Sequence, residues 1–413
     1  MQSRRHSAGQ PVLRLVLIGA VVAVMGLMMY MNLSFLSSER AADASDMMAK
    51  KAVQHMRKVV VTDTPIPTTT AKDLTKRRTI VLISNYRDST RCSETLDSIF
   101  TKAAHPELIS VSIFDQLRFD LSEERCMDVY CAKVGESVCR RSERLRRNDT
   151  LDATKALGPT YARYQTEEGI DVNKDDFVLA IDSHILFIKN WDIDLIAQWD
   201  SIENPKAVIT VYPDPTTSMP ADGKLTGQTA KMCHARIETE DADSMIQYGA
   251  ATPVDSPKVP QLSSQFAGGF SYSTAECALK VRNDPYTPYL FHGEEYSKAA
   301  RLFTHGYDTY YPTHMVVYHW FEVRKYIWDE DWGTKWKLQQ PAKRRIRAAL
   351  GLPITVDDYD RTDFEKFTVG TKRTMNQFID FSGINPLAPH KGTSTDQFVN
   401  CGDLKYVPVL EQT

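Results

Sequence analysis

The stretch DFVLAIDSHILFIKNWD, residues 176–192, sets an aspartate and a histidine one serine apart behind an apolar run. An extended strand repeats every two residues, so positions i and i+2 point to the same side. Residues 177–181 read as a buried strand, apolar on both faces. Asp182 and His184 then come together at its C-terminal end, the edge where open α/β sheets bind ligands. A carboxylate beside an imidazole suits a divalent metal, Mn2+ better than Ca2+. The same pair could equally do no more than cap the strand.

A second dense region is FAGGFSYSTAECALKVRNDPYTPYLFHGEEYSKAARLFTHGYDTYYPTHMVVYHWFEVR, residues 266–324. Gly268 and Gly269 allow a backbone to approach a ligand closely. Glu294 and Glu295 follow a glycine at the expected start of a helix. Carboxylates are favourable there through the helix dipole alone, but a glutamate at a pocket edge can also orient a hydroxyl or grip a sugar. His319 follows an apolar run. A lone histidine in that setting is usually a satisfied core residue, and it gains interest because Asp182 and His184 need further ligands.

These residues require elements to hold them. Residues 79–84 and 107–116 read as strands, residues 177–181 as a third, and KAVITVYP, ended by Pro213, as a fourth. Helices are expected after Ser89-Thr90, which can cap, in SEERCMDVYCAKVG, and from Gly158-Pro159 onward. Strands alternating with helices imply an α/β fold with a doubly wound, mostly parallel sheet. The basic run RRSERLRR, residues 140–147, reads as a solvated helix face.

Other chemistries lack their signatures. There is no P-loop, no G-x-G-x-x-G, no G-x-S-x-G and no H-E-x-x-H, which argues against an NTPase, a dinucleotide enzyme, an α/β-hydrolase and a zincin. A net charge of −3 argues against a nucleic-acid partner. The chain has 413 residues with 42% hydrophobic and 25% charged, a globular balance with room for one large domain or two ordinary ones.

Residues 15–31, LVLIGAVVAVMGLMMYM, carry no charge and follow Arg4, Arg5 and Arg14. At about 17 residues the run reaches the lower end of the spanning range of roughly 17–25. The charge bias places residues 1–14 in the cytosol and the rest in a lumen. A cleaved signal peptide is the rival, disfavoured by the length of the run and by the lack of a nearby small-x-small site. Residues 15–33 are thus expected to be a signal anchor, 34–76 a stem, 77–330 the catalytic domain and 331–413 a C-terminal extension packed on it. Seven cysteines fit a lumenal chain, and the odd count leaves at least one outside an internal disulfide. Asn148, in NDT, is a usable glycosylation sequon.

The order of TIVLISNYRD, ALGPTYARY, LAIDSHILFIKNWD, FAGGFSYS, LFHGEEYSKAARLFTHGYD, VVYHW and VGTKRTMNQFIDFSGI resembles glycosyltransferase family 60, over about residues 78–384. These are GT-A-type enzymes that place GlcNAc on proteins. Asp-Ser-His is also similar to the metal motif of the related polypeptide GalNAc-transferases. The resemblance implies a GT-A nucleotide-sugar-binding fold with Mn2+ or Mg2+ held by Asp182, His184 and His319. It implies donor contacts from Ser84, Asn85, Arg87, Asp88, Arg163, Ser183, Gly268 and Gly269, and catalytic or sugar-positioning roles for Glu294 and Glu295. The implied reaction moves GlcNAc from UDP-GlcNAc to a Ser/Thr or hydroxyproline hydroxyl of a protein or glycopeptide, with retention. UDP-GalNAc, another UDP-sugar or a glycan acceptor are alternatives on the same fold, and an inactive lectin-like protein is an alternative of another class. With the anchor, the resemblance implies a single-pass type II protein of the Golgi membrane.

Overall fold

The parallel block expected from the alternating pattern is present. In the computed structural model, which describes residues 76–220, 224–322 and 335–409, it comprises β1 (Thr79–Tyr86), β2 (Ile109–Leu117), β3 (Leu145–Asp152) and β4 (Phe177–Asp182), in spatial order β4-β1-β2-β3. Ile80, Val81, Leu82 and Ile83 of β1 are all buried, as a strand covered on both faces requires. The chain continues through β5 (Ile185–Phe187), β6 (Ala207–Thr210) and β7 (Asp214–Pro215). Smaller strands follow, namely β8 (Gln228–Lys231), β9 (His234–Ile237), β10 (Ile246–Tyr248) and β11 (Thr252–Asp255). With β12 (Gln261–Ser263), β13 (Phe270–Thr274) and β14 (Asp308–Tyr311), the main sheet reaches eight strands ordered β12-β14-β6-β13-β4-β1-β2-β3.

That sheet is mixed and parallel-rich. Four neighbouring pairs are parallel and three antiparallel, with β13 antiparallel to both β4 and β6. β15 (Val317–His319) lies between β5 and β7 in a separate three-stranded sheet. β16 (Phe398–Val399) adds to β9, which also pairs with β10. The described residues fall within one compact unit, Lys72–Thr413.

The helices cover the sheet with apolar faces. In α1 (Ser89–Lys102), Cys92, Leu96 and Ile99 are fully buried, the i, i+4, i+7 spacing of one helical face. α2 (Cys126–Val134) is tied to α1 by the Cys92–Cys126 disulfide. α3 (Pro159–Glu167) begins with proline at a position where its missing N–H costs nothing. Gly158 before it has φ +93°, and a Cβ there would lie 2.9 Å from the Tyr289 backbone. α4 (Trp191–Ser201) precedes β6, and α5 (Glu294–Thr304) precedes β14. α6 (Gln339–Ala349) and α7 (Met375–Ser382) belong to the C-terminal part. Buried ion pairs attach that part to the rest: Arg345 to Asp284 at 2.7 Å and Arg373 to Asp308 at 2.8 Å. Three disulfides form, the others being Cys131–Cys139 and Cys233–Cys401, and Cys277 is left as a buried thiol.

Two expectations are corrected. The basic run at 140–147 is only partly helical, since from Leu145 it becomes β3, the edge strand of the main sheet. Arg146 pairs there with Asp175 at 3.1 Å. The single-pass type II Golgi assignment is overturned as well, because no helix among the described residues is long and apolar enough to cross a membrane. The longest of them, α1, has 14 residues, about 21 Å of helix against a hydrocarbon core of roughly 30 Å. The expected tail and anchor, and the stem up to residue 75, lie outside the described residues.

Candidate active site

β4 pairs with β1 so that Asp182 lies beside Ser84, both at the C-terminal edge of the parallel block. The chain turns there, and the turn is pinned to α1. The Thr95 hydroxyl donates to the Ser183 carbonyl at 3.0 Å and accepts from the Ile185 N–H at 2.9 Å. His184 follows, and the pairing of β15 with β5 brings His319 opposite Ile185. One ligand atom from each of Asp182, His184 and His319 lies within 4.8 Å of the others. The two imidazole rings stand 4.6 Å apart at 70°, and His319 Nε2 is 3.5 Å from Asp182 Oδ2.

One carboxylate and two imidazoles form a donor set for a divalent transition metal. Two observations support that fit. His319 Nδ1 is buried without a hydrogen-bond partner, an expensive state for a polar atom in the protein alone. His184 Nδ1 lies 3.2 Å from Asp88 Oδ2, the carboxylate–imidazole arrangement that orients metal-binding histidines.

Arg163, on α3, links this cluster to the glutamates. Its guanidinium contacts Asp182 Oδ1 at 3.2 Å and forms a close ion pair with Glu294. Burial acts to lower the Arg163 pKa, but the charges of Glu294 and Asp182 more than offset it and raise it. Asp182 shows the converse. Burial pushes its carboxyl up, while the His319 hydrogen bond and the Arg163 charge hold it well below the usual carboxylate range. The two glycines make room for these groups. A Cβ at Gly268 would lie 2.8 Å from Arg163 Nη1, and one at Gly269 would lie 2.5 Å from Asp182 Oδ2.

α5 starts after Gly293, whose φ of +91° is unfavourable for residues with a Cβ. Adjacent helical residues point about 100° apart, yet Glu294 and Glu295 both line one cavity because each is held by a different partner. Glu294 takes Arg163, whereas Glu295 accepts from the Gly268 N–H at 2.8 Å and from the Tyr212 hydroxyl. Burial raises the Glu295 carboxyl to about 7, against the pull of the Tyr212 and Gly268 hydrogen bonds. The cavity has a volume of about 310 Å3 and is also walled by Asp182, His319, Arg163 and Gly269.

The other proposed donor contacts are placed differently. Asp88 is paired with Arg91 at 2.9 Å as well as with His184. Ser183 is buried in the turn, its hydroxyl 3.3 Å from His184 Nδ1. Asn85 is fully buried, and its amide donates to Asp115 at 2.6 Å and to Ser89 at 3.1 Å. Arg87 pairs with Glu123 at 3.0 Å. These four and Ser84 do not line the cavity. Tyr212 escaped the sequence reading, although it stands just beyond the end of β6 much as Asp182 stands at the end of β4, so the strand-end rule applied there would have found it.

The parallel-rich α/β sheet, with a carboxylate–imidazole cluster and a carboxylate-lined cavity at its strand ends, has the GT-A-type glycosyltransferase fold. The structure is similar to that of GalNAc-T7 with UDP, GalNAc and Mn2+, with a TM-score of 0.50 and 14% identity, over 75% of this chain and 57% of that one. The chain thus spans little more than half the length of that protein. Weaker likenesses are to the mannosyltransferase PcManGT from Pyrobaculum calidifontis in complex with GDP-Man and Mn2+ (TM-score 0.39, 14% identity, 69% and 65% coverage) and to S. aureus TarS 1-349 in complex with UDP-GlcNAc (TM-score 0.41, 13% identity, 74% and 73% coverage). Residues 120–388 match the family described as Glycosyltransferase (GlcNAc), and the chain belongs to it. No curated protein matches the chain in sequence.

Proposed function

We propose that this glycosyltransferase moves N-acetylglucosamine from UDP-GlcNAc to a hydroxyl of a protein or glycopeptide, with retention of the α configuration, as a family 60 enzyme. The observation that carries the reading is the Asp182/His184/His319 cluster beside a cavity lined by Glu294 and Glu295. Membership of a GlcNAc family supports the donor sugar. In the reaction, the bond from the anomeric carbon to the β-phosphate oxygen breaks, the acceptor oxygen bonds to that carbon, and the acceptor proton leaves with UDP.

Mn2+ or Mg2+ held by Asp182, His184 and His319 would supply Lewis-acid stabilisation of the departing pyrophosphate. Asp88 fixes the ring of His184 for that task. Arg163 stays cationic and holds Asp182 and Glu294 in register. Glu294 is the carboxylate for the sugar side, and Glu295 anchors the Gly268 backbone through a group that can hold or release a proton near neutrality.

The test is transfer by the purified protein from a panel of UDP-sugars to Thr-rich peptides, with and without excess EDTA. The expected result is GlcNAc transfer that chelator abolishes and Mn2+ restores, giving an α-linked product by NMR. Full activity in EDTA, or no transfer from any UDP-sugar, would sink the reading. UDP-GalNAc is the second donor to be scored, since the GalNAc-T7 structure to which this fold is similar carries UDP, GalNAc and Mn2+.

A further inference from the structure

His292 also walls the cavity, and its side chain is 32% exposed. Its Nδ1 lies 2.8 Å from Oε2 of Glu238. Glu238 is buried, and its other oxygen forms a close ion pair with Lys343, which is buried too. Burial pushes the Glu238 carboxyl up, but His292 and Lys343 outweigh it and lower it. Glu238 is therefore a carboxylate, and a carboxylate at Nδ1 selects the tautomer with the proton there. In the neutral imidazole Nε2 is then the lone-pair acceptor, on a residue that lines the cavity.

The support comes from α6. Lys343 and Ile346 are three residues apart and share one face of that helix. Ile346 abuts the same loop, since a Cβ at Gly293 would lie 3.0 Å from its Cδ1 and 2.5 Å from Met245 Cβ. One face of α6 thus sets both the imidazole and the glycine that leads into Glu294.

We infer that His292 accepts a hydrogen bond from the acceptor hydroxyl as it docks, that hydrogen turning to UDP when the new bond forms, with Glu238 and Lys343 as the positioning residues. The inference rests on the glycosyltransferase reading above. The pyrophosphate belongs at Asp182, His184 and His319, and the sugar reaches towards Arg163 and the buried Glu294. His292, at 32%, is more exposed than Glu294 at 7% and stands beside Phe291, whose ring centre is 5.3 Å away and which is 43% exposed, while Phe321, 61% exposed, opens the His319 side. With the donor at the metal cluster and Arg163, the Phe291 side is the one left for a second substrate. An uncharged acceptor atom next to an exposed aromatic ring suits a hydroxyl on a residue with apolar surface, and offers nothing to an anion.

The experiment compares the wild-type protein with His292→Asn, His292→Gln and Glu238→Gln, using UDP-GlcNAc and a Thr-rich peptide. Asparagine keeps a donor for Glu238 and removes Nε2, so packing is preserved. His292→Asn should raise the peptide KM roughly 5- to 10-fold, the worth of one hydrogen bond. UDP affinity measured by calorimetry with Mn2+ should stay within twofold. Glu238→Gln should shift the peptide KM in the same direction by less, and His292→Gln, whose longer side chain carries its amide to about the reach of Nε2, should recover part of the loss. An unmoved peptide KM in both His292→Asn and Glu238→Gln, or a loss that falls on UDP affinity instead, overturns the inference. Absence of transfer by the wild-type protein overturns the function itself, whereas wild-type transfer with unmoved variants overturns only this inference.

Discussion

Gly269 lies against Asp182 so closely that a Cβ on the glycine would stand 2.5 Å from the carboxylate Oδ2. Asp182 is already gripped by Arg163 on its other oxygen. A methyl group at 269 must therefore rotate the carboxylate out of place, since the far end of a side chain yields before the backbone does. Gly269→Ala should lower Mn2+ affinity by on the order of tenfold or more, the range seen when the support of a metal ligand is disturbed. Its melting temperature should change little. Mn2+ titration followed by calorimetry reads the first quantity and a thermal melt the second. Unaltered Mn2+ affinity would show that Asp182 is not held where the metal binds.

Asp88 adjoins the Asp182/His184/His319 cluster and is not one of the three proposed ligands. It holds His184 Nδ1 at 3.2 Å. Asp88→Asn keeps the shape and weakens the orienting interaction, so Mn2+ affinity should fall about 10- to 100-fold. The deficit in transfer should shrink as Mn2+ is raised. A deficit that saturating Mn2+ leaves untouched would assign Asp88 to something other than histidine orientation.

Glu295 links the site to pH. Its folded-state carboxyl is raised from 4.5 to about 7 by burial, so the folded chain holds a proton that the unfolded chain has already released. Its contribution to stability is complete below about 4.5 and is lost as pH rises to about 7. Chemical denaturation of Glu295→Gln across that window should give a flatter dependence of stability on pH than wild type. Identical slopes would mean that the carboxyl titrates normally.

The Cys233–Cys401 bridge spans 168 residues of sequence. Cys401→Ser should destabilise the fold by about 2–5 kcal/mol, the usual effect of losing a native disulfide. The melt should shift downward, and dithiothreitol should then have a smaller effect on the variant than on wild type. Equal melting temperatures for the two proteins would show that the tail is held without the bridge.

What could be read in the chain follows the range of the interactions. Asp182 and His184 were legible because strand period and strand-end position are local rules. His319 joins them only through the pairing of β15 with β5, which no local rule reveals, and it was reached by resemblance. The strand β3 was misread because arginines at a sheet edge look like a solvated helix. Edge strands carry charge for their own reason, to discourage pairing with other chains. The C-terminal part was opaque for a different cause. Arg345 and Arg373 are 0% and 1% exposed, and composition assigns arginine to the surface. Their burial is accounted for by the carboxylates that meet them, Asp284 and Asp308, and by backbone carbonyls, those of Asp360 and Thr362 for Arg345 and of Phe303 and Tyr307 for Arg373.

The pairing of β16 with β9 has a consequence for biosynthesis. β9 offers one edge to β10 at once, but the other edge waits for Phe398 and Val399, and Cys233 waits for Cys401. At about 5–20 residues per second, a gap of that length keeps the ribosome busy for on the order of ten seconds or more. During that interval the nascent chain exposes an unpaired strand edge and a lone thiol, next to the strand that carries Gln247 and Tyr248 into the cavity wall. Nascent chains arrested before residue 398 should therefore be better chaperone clients than the released protein. The strand that carries Gln247 and Tyr248 should settle only after translation has passed residue 401.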